Sequence, residues 1–197
     1  MKKLQLYING DFVDSESGRT YTSVNPATGE IVAEASWADA RDAAKAIAAA
    51  RPAFDHGPWR KFSAAERRAV LEKLAERLKE RLEDFARMET ADAGALIAKS
   101  RTDIALCASQ LKYFAKMSEK YDGALHPIEG MQREGRAYAY TAREPIGVCG
   151  QIIPWNFPLT MVVWKLGPAL ATGNTVVLKC APETPVTALE FAKLCHD

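Results

Sequence analysis

Two polar side chains stand where chemistry can use them, each at the end of an apolar run. Asn156 sits in the loop Pro154-Trp155-Asn156-Phe157-Pro158, directly after Ile146–Ile153. Proline fixes its own φ and restricts the residue before it, so this loop is expected to be stiff. A stiff loop after a parallel strand is where α/β proteins hold ligands. An amide NH2 held there can donate to a developing oxyanion, and losing one such donor costs about 2.7–4 kcal/mol of transition-state stabilisation in a well-studied enzyme. The same residue can instead cap the helix that follows, with Pro158 in its first turn. Lys179 ends the run Thr175-Val176-Val177-Leu178. There it can meet phosphate or ribose oxygens, or it can simply snorkel out of a buried strand. Spacing alone leaves both pairs of readings open.

Other chemistry finds less support. The four cysteines, Cys107, Cys149, Cys180 and Cys195, show no C-x-x-C spacing and read as reduced, mostly buried thiols of a cytoplasmic protein. Cys149 and Cys107 fall in strand and helix patterns; Cys180 follows Lys179, which can lower its pKa, but it reads as a strand-end residue. His56, His126 and His196 are isolated, so no metal site is expected. No G-x-G-x-x-G occurs, and Gly147-x-x-Gly150 lies inside a strand pattern.

The elements that must position these residues change character along the chain. The first 35 residues read as a small antiparallel sheet, with Leu4, Leu6 and Ile8 alternating, Asn9-Gly10 as a two-residue turn, and Asn25–Glu30 as a second turn between Tyr21–Val24 and Ile31–Ala35. An alanine-rich helix over Asp39–Phe54 follows. Ser63-Ala64-Ala65-Glu66 then forms a capping-box pattern ahead of one helix carrying Val70, Leu71, Leu74, Leu78, Leu82 and Phe85. A third helix is expected around Leu96–Lys120. Beyond Asp122-Gly123 come an extended stretch from His126, turns at Gly130 and Gly135, and a strand over Arg136–Arg143 showing Tyr138 and Tyr140 on one face. A buried strand over Ile146–Ile153, a helix Leu159–Ala171 closed by Gly173, a buried strand Thr175–Lys179 and a helix Val186–Leu194 imply a parallel sheet.

The 197 residues are 48% hydrophobic and 26% charged, with 26 basic against 25 acidic side chains. That balance leaves no electrostatic footprint for nucleic acid or an anionic membrane, and no run approaches the ~18 apolar residues of a membrane span. The amino terminus does not read as a signal peptide.

The segment Arg143–Pro158, R-E-P-I-G-V-C-G-Q-I-I-P-W-N-F-P, resembles the NAD(P)-dependent aldehyde dehydrogenase superfamily, in particular its retinal, acetaldehyde and betaine-aldehyde types. The likeness runs along the chain through Tyr7–Gly10, Asn25–Gly29, Trp59-Arg60, Gly167–Leu170, Thr172–Lys179 and Pro182–Pro185. It implies an α/β chain with a partial Rossmann-like cofactor domain, an N-terminal antiparallel sheet, helices and an oligomerisation β-hairpin. The implied division is 1–123 as the N-terminal part of the cofactor domain, 124–145 as the hairpin, and 146–197 as the first strand-helix-strand-helix of the Rossmann-like part.

The resemblance also implies roles. Asn156 matches the oxyanion donor, and Ile152, Ile153, Pro154 and Trp155 match the strand end along the cofactor. Lys179 matches the lysine that bonds the adenosine ribose. Phe157, Met161 and Trp164 match the aldehyde tunnel, and Lys165 a supporting lysine near the active centre. NAD-preferring relatives carry a glutamate where this chain has Pro182, with Glu183 one residue on, so the resemblance leaves NAD or NADP open. The family's cysteine nucleophile, its water-activating glutamate and its glycine-rich turn are expected beyond Asp197. The chain alone is therefore expected to be inactive, as part of an aldehyde-oxidising homo-oligomer. A non-catalytic nucleotide-binding or oligomerisation module, or a truncated product without independent function, are the alternatives.

Overall fold

In the computed structural model, residues 2–127 and 138–196 are described. Strands β1 (Lys2–Leu4), β2 (Leu6–Ile8) and β3 (Asp11–Val13) open the chain. Asn9 and Gly10 both take positive φ, 56° and 85°. That is the two-residue turn whose twist suits a hairpin, and β2 and β3 pair antiparallel across it, Leu6 opposite Val13. The expectation of one antiparallel sheet is corrected at Gln5. β1 runs parallel to β5 (Ile31–Ser36), which pairs antiparallel with β4 (Thr20–Val24), in the order β1-β5-β4. Leu4 is buried with Ala33, Ala35 and Val186, whereas Leu6 to Ile8 are only half-buried. Alternation records which face is apolar and is silent on which strand lies alongside.

Helices α1 (Ala40–Asp55) and α2 (Ala64–Glu80) begin at reciprocal capping boxes, Asp39 with Asp42 and Ser63 with Glu66. In the second, the Glu66 amide donates to Ser63 Oγ at 3.2 Å and the Ser63 amide to Glu66 Oε2 at 2.7 Å. The single helix expected to reach Phe85 is in fact two. Arg81 (φ −103°, ψ 21°) breaks it, and α3 (Leu82–Ala93) follows, ending at Gly94 in the left-handed region. No proline or glycine marks the break, and the apolar period carries on through it. Val70, read as core, is exposed. Helix α4 (Ile97–Met117) buries Ile104, Cys107, Ala108 and Leu111.

β6 (Leu125–Pro127) and β7 (Tyr138–Tyr140) pair antiparallel, Leu125 opposite Tyr140. The strand read over Arg136–Arg143 is Tyr138–Tyr140 among the described residues, with Ala139 exposed as well as both tyrosines, and the turns read at Gly130 and Gly135 lie outside the described residues.

Then β8 (Val148–Ile152), α5 (Pro158–Ala171), β9 (Thr175–Lys179) and α6 (Val186–His196) give the strand-helix-strand-helix series. β8 and β9 are parallel, with Ile152 beside Lys179. The pair is not buried as expected, since Ile146 is 87% and Ile152 75% exposed. Among the described residues β8 pairs with β9 alone, so no strand lies along its far edge. One core cluster draws on α2, α3, α4, α5 and α6 together, from Leu74 and Phe85 through Leu111 to Val163 and Phe191. Gly167 lets α5 close on α4, where a Cβ would overlap the Phe114 ring.

Candidate functional site

The site forms where β8 ends. Residues Ile153–Phe157 turn the chain from β8 into α5, and Pro158 occupies the first helical turn, where a missing N–H is harmless. The turn is tied on both flanks. The Ile153 amide donates to the Lys179 carbonyl at 3.1 Å, and the Thr184 hydroxyl to the Trp155 carbonyl at 3.4 Å. The Leu159 amide donates to Glu89 Oε1 at 3.4 Å.

Within this tied turn the Asn156 side chain is exposed and makes no hydrogen bond among the described residues. Capping therefore does not explain it. The cap position of α5 belongs to Phe157, which makes no side-chain capping bond. Asn156, Trp155 and Pro158 line a cavity of about 180 Å³ with Glu89, Ala93, Ala95 and Lys99. No thiol lines it. Trp155 is exposed, Pro154 is exposed and Ile153 is buried in the core. Met161 and Trp164, three residues apart, share a face of α5, and Phe157 stands at the N-cap ahead of it. Phe157 and Trp164 are largely exposed, while Met161 packs against the core. The Lys99 ammonium lies 4.3 Å from the centre of the Phe157 ring and 2.5 Å from Asp103.

Lys179 is exposed at the end of β9, and its Nζ meets only the neighbouring Cys180 carbonyl, at 3.3 Å, among the described residues. The parallel register sets it beside Ile152, so an exposed apolar side chain and an exposed cation share one strand end. Pro182, half-buried, lies in the loop leading to α6. Lys165 is exposed on α5, and its carbonyl accepts from Gln151 Nε2 at 2.8 Å; its ammonium is not among the groups lining the cavity. Of the residues read from the sequence, Trp155 and Asn156 line the cavity, Ile152 and Lys179 share the β8/β9 strand ends, and Met161, Trp164 and Lys165 lie along α5 outside the cavity, as Pro182 does beyond β9.

Two acids escaped sequence reading. Glu89 and Asp92 are each only 2% exposed on α3. Glu89 Oε2 accepts from the Thr187 hydroxyl at 2.6 Å, and Asp92 accepts from the Val186 amide at 2.9 Å and from the Ser23 hydroxyl. Burial pushes the Glu89 carboxyl up to about 7 and that of Asp92 up to about 6, in each case against hydrogen bonds that favour the charged form. A signal existed: Phe85, Glu89 and Asp92 keep the i, i+4, i+7 spacing of an inward face, so acids occupy core positions. The adjacent Lys179 does not activate Cys180. Burial drives that thiol up to about 11, and Cys107 goes up to about 12 for the same reason. Among the described residues no acid, histidine and cysteine groups suit a metal.

Comparison with known proteins covers nearly the whole chain. The model described as "Aldehyde dehydrogenase family" matches residues 12–197. A curated Arabidopsis thaliana relative, "Aldehyde dehydrogenase family 2 member B4, mitochondrial", is 48% identical over 191 residues, 96% of this chain and 35% of its own length. Among solved structures, an NAD+ complex of aldehyde dehydrogenase from Bacillus cereus superposes with a TM-score of 0.94 at 40% identity, over 99% of this chain and 39% of that one. An Escherichia coli NADP dependent enzyme gives 0.90 at 35% identity, over 98% and 39%. The chain spans somewhat over a third of the length of these relatives.

Proposed function

The chain belongs to the aldehyde dehydrogenase family, and on that premise we propose that it supplies the oxyanion donor and the adenosine-side cofactor contacts of an enzyme oxidising an aldehyde to a carboxylic acid with NAD(P)+. One observation carries the reading: a fixed turn, directly after the strand end where Ile152 and Lys179 lie exposed side by side, presents an Asn156 amide without a partner among the described residues.

These residues fit a dinucleotide's adenosine half. Ile152 offers an apolar surface for a flat base, and Lys179 a cation with no carboxylate on it among the described residues. Pro154 and Trp155 continue the exposed strand end along the cofactor, with Ile153 beneath them anchoring that end in the core, and Pro182 faces the decision between a free ribose hydroxyl and a 2′-phosphate. Without a carboxylate at Pro182 to repel that phosphate, we leave both NAD and NADP as ligands; relatives of each kind exist. When bound, the cofactor accepts the hydride.

The chain's own residues act on the aldehyde. A cysteine thiolate supplied from beyond this segment adds to the carbonyl carbon, and the oxygen gains charge that Asn156 Nδ2 stabilises by donation. Because the turn is already fixed, little reorganisation accompanies that step. After hydride loss the thioester is hydrolysed to the acid, and the carbonyl oxygen charges again in the same place. Phe157, Met161 and Trp164 offer the aldehyde an apolar, aromatic wall, which suits a hydrophobic tail. We assign Lys165 only a supporting part. Subunits of the complete protein associate through the hairpin at 124–145, whose Leu125, Tyr138 and Tyr140 are exposed. We place the protein in the cytoplasm on its four free cysteines; the Arabidopsis relative is mitochondrial by name, and fractionation decides between them.

The test is turnover. The product of the whole reading frame should oxidise aldehydes with NAD+ or NADP+, whereas the 197 residues alone should oxidise none. An inactive whole product, or turnover by this chain alone, contradicts the reading. A nucleotide-binding module without catalysis is the second reading, favoured by Ile152 and Lys179 lying exposed side by side within this segment; binding of NAD+ by a whole product that turns over no aldehyde would select it.

A further inference from the structure

The turn that carries Asn156 depends on a carboxyl group from another helix. Pro158 has no N–H and Phe157 no capping side chain, so the Leu159 amide is the first donor of α5 that needs a partner. Glu89 provides it from α3, while its other oxygen holds Thr187 in the first turn of α6. A negative charge at these two helix amino termini is favourable in both. Glu89 also lines the cavity with Asn156. One carboxyl group therefore touches the starts of two helices and the pocket between them.

We propose that Glu89 is a proton-linked positioning residue for Asn156. Ionised, it accepts from Leu159 and Thr187 together and fixes the entry of α5. Protonated, it turns donor toward Thr187 and leaves only a neutral oxygen for Leu159, so the turn three residues upstream loosens. The groups facing it set where this happens. Asp92 on its own helix and Asp103 on α4 raise its proton affinity, as burial does, whereas the Leu159 amide on α5 and the Thr187 hydroxyl on α6 lower it. Lys99 of α4 shares the cavity, and the buried Cys107 thiol lies in the field of Glu89. Glu190, a turn further along α6, is held charged by Lys2 and Lys193. The balance leaves Glu89 changing state at about pH 7.

The inference matters for catalysis only if Asn156 is the oxyanion donor, but its test needs neither cofactor nor aldehyde. In the 197-residue chain, the carboxyl carbon of Glu89, the side-chain amide of Asn156 and the backbone amide of Leu159 are followed by NMR from about pH 5 to 9. A single shared midpoint is expected. In Glu89→Gln the Asn156 and Leu159 steps should vanish. In Thr187→Val, which removes a donor to the charged form, all three midpoints should move upward together; this variant decides the matter if Glu89→Gln does not fold. An Asn156 signal that stays flat through the Glu89 step, or that keeps its step in Glu89→Gln, overturns the proposal. Neither result depends on turnover, so failure here and failure of the proposed reaction are told apart.

Discussion

Asn156 and Lys179 are both polar groups with most of their hydrogen-bonding capacity free, and they differ in what that freedom serves. The Lys179 ammonium has one neutral carbonyl at 3.3 Å, so an incoming ribose or phosphate oxygen replaces water rather than a carboxylate. Lys179→Ala in the whole protein is expected to weaken NAD(P)+ binding about tenfold, read by titration, because one charge-assisted hydrogen bond is worth roughly 1.5–3 kcal/mol before solvent screening. The buried acids make a second prediction. Glu89 and Asp92 keep their protons in the folded chain up to about pH 7 and 6, whereas the unfolded chain releases them near the ordinary values of 4.5 and 3.8. The unfolded state therefore binds fewer protons between those limits, and stability falls as pH rises through them. Urea unfolding at successive pH values should show the decline in the wild type and a shallower one in Glu89→Gln; an equal slope in both would contradict the assignment.

At the scale of elements, the site depends on how closely helices approach. Gly167 is where α5 meets the Phe114 ring of α4, and Gly167→Ala should cost about 1–3 kcal/mol in urea unfolding, since the methyl has to displace a packed ring. No loss would show that the contact relaxes. What the sequence showed, and what it hid, follow the same division. Capping at Ser63 and the Asn9-Gly10 turn are local events, decided by neighbours in the chain, and they read correctly. The parallel placement of β1, the break at Arg81 and the exposure of Ile152 depend on distant partners or on their absence. Asn156 was legible as a residue with two possible jobs. Only the structure removed one of them, by giving the cap to Phe157 and the Leu159 amide to Glu89, a partner 70 positions away.

For the whole molecule, the cluster running from Leu74 to Phe191 joins the early helices to the strand-helix-strand-helix segment in one core. Among the described residues β8 and β9 form a two-stranded parallel sheet with exposed apolar residues at its margins, Ile146 among them. Unpaired edges of that kind recruit other edges. The 197-residue chain should scatter light increasingly with concentration, and Ile146→Lys should reduce this; scattering unchanged by the substitution would place the association elsewhere. The central claim, that this segment contributes an oxyanion donor to aldehyde oxidation, is tested most directly by kcat in the whole protein carrying Asn156→Ala. The side chain is exposed and unbonded, so the unfolding midpoint should stay unchanged. We predict that kcat falls about 10²–10³-fold at that constant stability. A variant that folds equally well and keeps the wild-type kcat would contradict the account.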